Sequence, residues 1–264
     1  MSAKTLALVT GASSGIGRLY AERLAARGHD LILVGRNQRQ LQQAAADFLI
    51  RYGATCEVLA ADLSRRDQLH LVEQRLTEDD HIALLVNSAG LVSGGPLGAA
   101  DADALTTMLD VNVVALTRLC SAAARSFGQQ RRGAIVNFSS AMAFFDTARS
   151  GAYAASKAFV LSMSYSLDLE LRDKGVRVQV VLPGYTRTPM LGDNHGLAAD
   201  MLMEVETLVD AALAGFDKGE FVTIPSLEDL GYLARWEEAR TAMRPHLSLR
   251  DAASRYRRPA TPTA

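Results

Sequence analysis

The sequence predicts an α/β fold, a single-domain, Rossmann-like, doubly wound parallel sheet of about seven strands with helices on both faces. Short apolar runs bounded by glycine and polar turns alternate with helical periods over residues 1–225. Such runs are typical of strands that are buried on both sides. The first run leads directly into a glycine-rich turn and a helix, the order found where a parallel sheet binds a dinucleotide.

The elements follow in regular order along the chain. Each predicted strand is a short apolar run that ends at a turn residue, and the runs lie at 5–10, 30–35, 55–60, 82–86, 133–138, 176–182 and 219–224. Each predicted helix repeats its apolar residues at helical spacing, and the helices lie at 15–27, 37–52, 65–77, 102–127, 152–173 and 203–216.

The pattern changes after Pro225. The segment SLEDLGYLARWEEARTAM predicts one more helix, and an arginine-rich tail follows it. We therefore expect residues 1–225 to form the Rossmann-like catalytic domain and residues 226–257 a helical extension packed on or near it. Residues 258–264 are expected to be a mobile tail.

Composition limits the function classes. Of 264 residues, 48% are hydrophobic and 22% charged, which is ordinary globular usage, and a net charge of −1 gives no reason to expect nucleic-acid binding. Cys56 and Cys120 are too few for a disulfide framework, so a cytoplasmic location is expected. The apolar run before Gly11 is too short to span a membrane and has no cleavage pattern. Neither a membrane span nor a metal site is predicted.

The glycine-rich turn is Gly11-Ala-Ser-Ser-Gly-Ile-Gly17. Glycine lets the backbone turn tightly and lets phosphate approach without a Cβ in the way. The spacing is G-x-x-x-G-x-G rather than G-x-G-x-x-G. On this segment alone, an ordinary glycine-rich loop remains an alternative to a phosphate site. The candidate cofactor-binding residues of the turn are Gly11, Ser13, Ser14, Gly15, Ile16 and Gly17.

A second pattern lies in GAYAASKAF, where Lys157 follows Tyr153 by four residues and Ser140 precedes that tyrosine by thirteen. On a helix, positions i and i+4 lie on the same face, so the phenol and the ammonium project into one site. A cation beside a phenol stabilises phenolate and lowers its pKa. Tyr153 is therefore a candidate proton donor and acceptor.

With both patterns present in this order, the sequence resembles the short-chain dehydrogenase/reductase family over residues 4 to about 225. Gly11, Gly15 and Gly17 match the family's cofactor turn, and Asp62-Leu63 matches the acidic position that contacts adenine. Asn87-Ser-Ala89-Gly90 is similar to the family's Asn-Asn-Ala-Gly segment, with Ser88 replacing the second asparagine. Asn112, Ser140, Tyr153 and Lys157 match the four catalytic positions. Pro183-Gly184, Thr186 and Thr188 match the segment beside nicotinamide.

The resemblance implies a role for each catalytic position. Tyr153 would exchange a proton with the substrate oxygen, and Lys157 would also bond the nicotinamide ribose. Ser140 would hydrogen-bond the substrate carbonyl and stabilise charge as it develops. Asn112, an unfavourable residue inside a helix, would hold a water that links Lys157 to solvent; a satisfied buried amide is the alternative.

The end of the second predicted strand bears on cofactor choice. Gly35 lies where an NAD enzyme would place a carboxylate for the ribose hydroxyl, and Arg36 follows it. The Arg36 guanidinium could pair with a 2′-phosphate. The alternative is a solvated loop arginine. NADP(H) is therefore the predicted cofactor.

Substrate contacts follow from the resemblance alone, which places Val92, Met142, Phe144, Phe145, Tyr185, Met190 and Leu191 in the pocket. These residues are largely apolar and favour an uncharged, moderately bulky ketone or aldehyde, or the matching alcohol. Arg149 and Arg187 are near enough in sequence to leave a charged substrate open. His195 could touch substrate from a loop, or it could be solvated.

Three functions compete. The first is an NADPH-dependent carbonyl reductase that also acts as a secondary-alcohol dehydrogenase. The second is a fatty-acid type 3-oxoacyl reductase, for which the tail arginines would supply a basic surface. The third is a cofactor-sensing protein without catalysis, which the four retained catalytic positions disfavour.

The predicted helices 102–127 and 152–173 carry more apolar residues than one buried stripe needs. The resemblance implies that they pair with symmetry mates, so a homodimer or homotetramer is expected. Coverage by the segment 226–258 is the alternative.

Overall fold

The computed structural model describes residues 5–93, 95–145, 147–192 and 196–256. His195 and the predicted tail at 258–264 lie outside this part of the chain. The contacts divide the chain into two units, Met1–Ser226 and Leu227–Ala264.

The first unit is built on a seven-stranded sheet. Its strands are β1 (Leu6–Thr10), β2 (Asp30–Gly35), β3 (Cys56–Ala60), β4 (Ile82–Asn87), β5 (Ala134–Phe138), β6 (Arg177–Val181) and β7 (Val222–Thr223). The strand order is β3-β2-β1-β4-β5-β6-β7, and every paired neighbour is parallel. The predicted doubly wound parallel sheet is therefore confirmed. Its order reverses between β1 and β4, where open sheets of this class bind ligands.

The helices of the first unit are α1 (Gly15–Ala26), α2 (Gln38–Tyr52), α3 (Arg66–Glu78), α4 (Ala102–Leu109), α5 (Leu116–Gln130), α6 (Gly151–Leu171) and α7 (Val205–Lys218). They pack on both faces of the sheet because successive strand side chains point to opposite sides. In β1, Ala7 and Val9 join a core with α1, α2 and α7. Leu8, between them, joins the other core with α3, α5 and α6.

One predicted helix differs from the structure. The run expected at 102–127 is divided into α4 and α5 by a π-helical turn, Asp110–Ala115. Such turns commonly occur at functional sites, and this one contains Asn112. By length and composition, the run Ala102–Gln130 is the one helix of the described residues that could cross a bilayer, but half of its most apolar window is buried.

The second unit contains α8 (Gly231–Met243) and two short 3₁₀ turns, Arg244–His246 and Ser254–Tyr256. None of its side chains between 227 and 256 is buried. Two arginines lie over aromatic rings of α8, with Arg235 4.7 Å from the centre of Tyr232 and Arg240 5.5 Å from that of Trp236.

Candidate active site

The glycine turn lies at the carboxyl end of β1, in contact with the segment that follows β4. Gly11 has a positive φ of 70°, and a Cβ added there would lie 2.9 Å from the backbone nitrogen of Ala89. A Cβ at Gly17 would lie 2.5 Å from the carbonyl oxygen of Gly11. Only glycine allows these approaches. Ser14 precedes α1 without capping it through its side chain, so the first helical amides can bind an anion.

Thr10 joins the two segments and was not identified from the sequence. Its Oγ1 accepts hydrogen bonds from the backbone amides of Ser88 and Ala89, each at 3.1 Å. A polar residue at the end of an otherwise apolar strand is the signal that could have identified it. Its side chain fixes the loop after β4 against the glycine turn.

A cleft of about 190 Å³ opens at this junction, and we call it the glycine-loop cleft. Its lining residues are Gly11, Ser13, Ser14, Gly15, Ile16, Gly17, Gly35, Arg36, Ala61, Asp62, Leu63, Ser88, Ala89, Gly90, Leu91, Val111, Thr188, Pro189 and Met190. The uncapped helix end, the glycine cradle and the exposed guanidinium of Arg36 are a donor set that suits a phosphorylated dinucleotide.

Asp62 and Asn87 were both expected to bind cofactor, but only Asp62 lies in the cleft lining. Asp62 lines the glycine-loop cleft while its Oδ1 accepts bonds from the amide (3.0 Å) and hydroxyl (2.7 Å) of Ser64. Asn87 does not line the cleft. Its buried amide donates to Asn137 Oδ1 at 3.0 Å and to the Cys120 sulfur at 3.3 Å, so its side chain supports the sheet instead.

The candidate catalytic side chains meet at the start of α6 and the end of β5. Lys157 is 6% exposed, and its Nζ donates to the carbonyl oxygen of Phe138 at 3.0 Å. The same Nζ lies 5.7 Å from the centre of the Tyr153 ring. Ser139 donates its hydroxyl to the Lys157 carbonyl at 2.7 Å. The ammonium is thus anchored to β5 beside the phenol.

The expected lowering of the Tyr153 pKa differs from what the structure gives. Burial raises the pKa of this phenol, and a hydrogen bond with the Ser140 hydroxyl opposes that effect. The reason is that phenolate loses hydration, while Lys157 is directed to the Phe138 carbonyl. Burial also lowers the pKa of Lys157 to about 8.

Asn112 lies in the π-helical turn and is 1% exposed. Its Oδ1 accepts the Leu91 amide at 2.8 Å, and its Nδ2 donates to the Leu91 carbonyl at 2.9 Å and to Ser156 Oγ at 3.2 Å. The side chain is therefore a satisfied buried amide, the alternative raised by the sequence. It holds the chain after β4 beside α6.

A second cavity of about 340 Å³ surrounds Tyr153, and we call it the tyrosine cavity. It shares Ile16, Ser88, Gly90, Leu91, Thr188 and Met190 with the glycine-loop cleft, so the two adjoin. Its other lining residues are Val92, Phe138, Ser139, Ser140, Ala141, Met142, Phe145, Ser150, Tyr153, Lys157, Pro183, Gly184, Tyr185, Thr186 and Leu191. A group bound in the cleft would therefore border the tyrosine cavity.

Six of the seven expected pocket residues line this cavity. Phe144, the last residue of the 3₁₀ turn Ala141–Phe144, does not, although Met142 in the same turn and Phe145 after it both line the wall. Arg149 and Arg187 are also absent from the described lining, and Arg187 Nε donates to Glu204 at 2.8 Å. Within the part of the wall that the structure describes, Lys157 is the only charged side chain.

Comparisons with known proteins agree with this geometry. The model of the short chain dehydrogenase family matches residues 5–196. A short-chain dehydrogenase from Sphingobium yanoikuyae, solved in complex with NADPH, is 43% identical, with a TM-score of 0.91 over 96% of this chain and 100% of its own. The bulky-bulky ketone specific alcohol dehydrogenase from Comamonas testosteroni is 40% identical, with a TM-score of 0.89 over 96% of this chain and 98% of its own.

A curated relative carries a different activity. The very-long-chain 3-oxoacyl-CoA reductase of Anas platyrhynchos is 33% identical over 188 residues, which are 70% of this chain and 60% of the reductase. The chain therefore matches only part of that reductase.

Proposed function

The chain belongs to the short chain dehydrogenase family, and from this premise we propose that it interconverts a bulky, uncharged ketone and its secondary alcohol with NADP(H). The observation that carries the proposal is the placement of Tyr153 in an apolar cavity that adjoins the glycine-loop cleft. Its neighbours are the Ser140 hydroxyl and the Lys157 ammonium.

Each catalytic side chain then has one task. NADPH held in the glycine-loop cleft would supply a hydride for the carbonyl carbon. Tyr153 gives its phenolic proton to the substrate oxygen as negative charge develops there. Ser140 donates a hydrogen bond to the same oxygen and stabilises that charge. Lys157, anchored to the Phe138 carbonyl, keeps positive charge beside the phenol. In the oxidation direction the same groups take the proton back.

The choice of NADP(H) over NAD(H) rests on the edge of the glycine-loop cleft. Gly35 and Arg36 both line it, so a glycine lies where an NAD enzyme would place a carboxylate and a guanidinium follows directly. A Cβ at Gly35 would lie 3.3 Å from Ser13 Oγ, which leaves little room for an acidic side chain. The similarity to the NADPH-bound Sphingobium enzyme supports the same choice.

Replacing Arg36 with leucine is expected to lower kcat/KM for NADPH by about tenfold or more, because a charge-assisted phosphate contact is lost. The value for NADH should stay nearly constant, since NADH has no 2′-phosphate. Steady-state kinetics with both cofactors measure this difference. Arg66→Leu is the control, because Arg66 is an exposed arginine of α3 outside the cleft lining. Equal losses with both cofactors would remove Arg36 from phosphate recognition.

The substrate class follows from the wall of the tyrosine cavity. The apolar residues Val92, Met142, Phe145 and Leu191 suit two hydrophobic substituents, and Lys157 is the only charged group among the described lining residues. Among the described lining residues, a carboxylate or phosphate on the substrate would find no arginine to receive it. The Comamonas enzyme, specific for ketones with two bulky groups, supports the same class.

The experiment is a substrate panel with purified protein and NADPH. It compares ketones with two bulky apolar groups, ketones with one small group, and 3-oxoacyl thioesters. Bulky ketones should give the highest kcat/KM, by roughly tenfold. A preference for thioesters would favour the 3-oxoacyl reductase activity that the duck relative suggests. Tight NADPH binding without turnover of any substrate would favour the cofactor-sensing alternative.

The proposed assembly is a two-fold dimer that pairs α5 and α6 with those of a second copy, and two such dimers can form a tetramer. A groove of about 600 Å³ runs between these helices, with Met163, Leu167 and Glu170 on its α6 side. Phe159 precedes Met163 by one turn and is 40% exposed. The apolar residues Val160, Leu167 and Leu171 are buried. Fewer apolar residues of α6 are therefore left for a second partner than the sequence suggested.

Light scattering is expected to give at least twice the chain mass of 28.4 kDa. Phe159→Glu should shift the protein toward monomer, because a carboxylate would be buried in the paired surface. Ile50→Glu is the control, since Ile50 is 83% exposed on α2, which packs on the opposite face of the sheet. A wild-type protein of single-chain mass would refute the dimer.

A further inference from the structure

We infer that Ser156, which neighbours the catalytic lysine in the sequence, is a positioning residue that ties helix α6 to Asn112 and thereby to the wall beside Lys157. The expected effect of Ser156 on turnover rests on the proposed function. The link from Ser156 through Asn112 to Leu91 rests on four hydrogen bonds alone. Ser156 lines neither the glycine-loop cleft nor the tyrosine cavity, so its role is positioning rather than direct contact.

The Ser156 hydroxyl, on a side chain that is 2% exposed, makes two hydrogen bonds of opposite kind. It donates to the carbonyl oxygen of Tyr153 at 2.7 Å, one turn back in α6. It accepts from Asn112 Nδ2 at 3.2 Å. One hydroxyl thus connects the catalytic helix with the π-helical turn. Ser156 is the only partner of Asn112 on α6 among the hydrogen bonds of the described residues.

The second bond determines how the Asn112 amide is oriented. One N–H of Nδ2 goes to the Leu91 carbonyl and the other to Ser156, while Oδ1 accepts the Leu91 amide. Without the hydroxyl, one N–H of a side chain that is 1% exposed has no acceptor. A buried donor without a partner is unfavourable, so the amide and the Leu91 backbone are expected to rearrange.

A rearrangement at Leu91 would reach Lys157 through Gly90. A Cβ added to Gly90 would lie 3.5 Å from Asn112 Oδ1 and 3.6 Å from Lys157 Nζ, so this glycine borders both side chains. Leu91 and Gly90 also line both the cleft and the cavity. Loss of the Ser156 hydroxyl should therefore alter the surroundings of the ammonium and the wall against which cofactor and substrate meet.

The test compares wild type with Ser156→Ala in two measurements. Hydrogen exchange followed by NMR is expected to be about tenfold faster at the Leu91 amide, because its acceptor Asn112 Oδ1 is no longer held. In ketone reduction with NADPH, kcat should fall by about fivefold or more, and the pH profile of kcat/KM should shift by roughly half a unit. Loss of stability alone would leave that profile in place.

Two further variants keep the outcome decisive. Ser166→Ala removes a hydroxyl from the exposed side of the same helix, where it donates to the Ser162 carbonyl at 3.5 Å, and should change neither measurement. Ser156→Cys preserves the volume with weaker hydrogen bonding and replaces Ser156→Ala if that variant does not fold. Unchanged Leu91 exchange overturns the inference without any need for turnover. Altered exchange with wild-type kcat and pH profile overturns the positioning role.

The exchange measurement also separates this inference from the proposed function. If the wild type reduces no ketone, the proposed function fails, and Leu91 exchange still decides whether Ser156 holds the Asn112 link.

Discussion

Replacing Tyr153 with phenylalanine is expected to lower kcat by about 10²–10⁴-fold, which is the usual contribution of a positioned general acid or base. The substitution removes one oxygen and keeps the ring. Burial raises the pKa of this phenol, so at neutral pH it holds the proton that reduction requires. The Ser140 hydroxyl remains in the variant, but it has no base to replace the proton it would give. Steady-state kinetics with NADPH and a bulky ketone measure the loss.

Cofactor binding separates lost chemistry from lost structure. Tyr153→Phe should bind NADPH within about threefold of wild type, because the backbone amides and Arg36 that are proposed to hold the cofactor are unchanged. Tyr185→Phe is the matched control, since it removes a phenol oxygen from the wall of the same cavity at a residue that is not one of the four candidate catalytic residues. That control should retain most activity. A Tyr153→Phe variant with wild-type kcat would refute the acid role, and a large loss in Tyr185→Phe would move that role to Tyr185.

Much of the fold could be predicted because local sequence and tertiary environment agree. β2, for example, is apolar from Leu31 to Gly35, and both of its faces are buried over that stretch. The π-helical turn could not be predicted, because Leu105, Leu109 and Leu116 keep a helical period across it. The last strand is only Val222–Thr223, shorter than the predicted 219–224, since Gly219 at a φ of 78° still ends α7.

The same holds for the site, where residues related by spacing within one element could be predicted and contacts between distant elements could not. Spacing along one helix places Tyr153 and Lys157 together, and both line the tyrosine cavity. Partners from other elements were missed, since Thr10 meets Ser88 across 78 positions and Lys157 meets Phe138 across 19. Asn87 has no local signal that its amide faces Asn137 rather than the cleft. Sequence spacing therefore identifies candidate groups, while their hydrogen bonds and pKa values depend on tertiary packing.

Replacing Lys157 with methionine is expected to lower kcat by about a hundredfold or more and to stabilise the folded protein at pH 7. The activity loss follows from removing the charge beside the phenol. Stability should rise because Lys157 is 6% exposed and its pKa is lowered to about 8 by burial. Lowering from about 10.5 to about 8 corresponds to roughly 3 kcal/mol against the charged form. The lost bond to the Phe138 carbonyl offsets about 1–2 kcal/mol of this.

The pH dependence of that stability difference tests its cause. Below pH 8 the lysine is charged in both the folded and the unfolded protein, so wild type carries the full burial penalty. Between about pH 8 and 10.5 the folded lysine loses its proton while the unfolded one keeps it, so wild-type stability rises relative to the variant. Denaturant unfolding at pH 7 and at pH 9.5 should therefore show the variant's advantage shrinking. Lys218→Met removes an exposed lysine at the end of α7, away from the site and from the α5–α6 groove, and should leave stability and kcat nearly unchanged. If the stability advantage of the variant stays constant with pH, burial of the Lys157 charge does not destabilise the folded protein. A Lys157→Met variant with wild-type kcat would remove the ammonium from the mechanism.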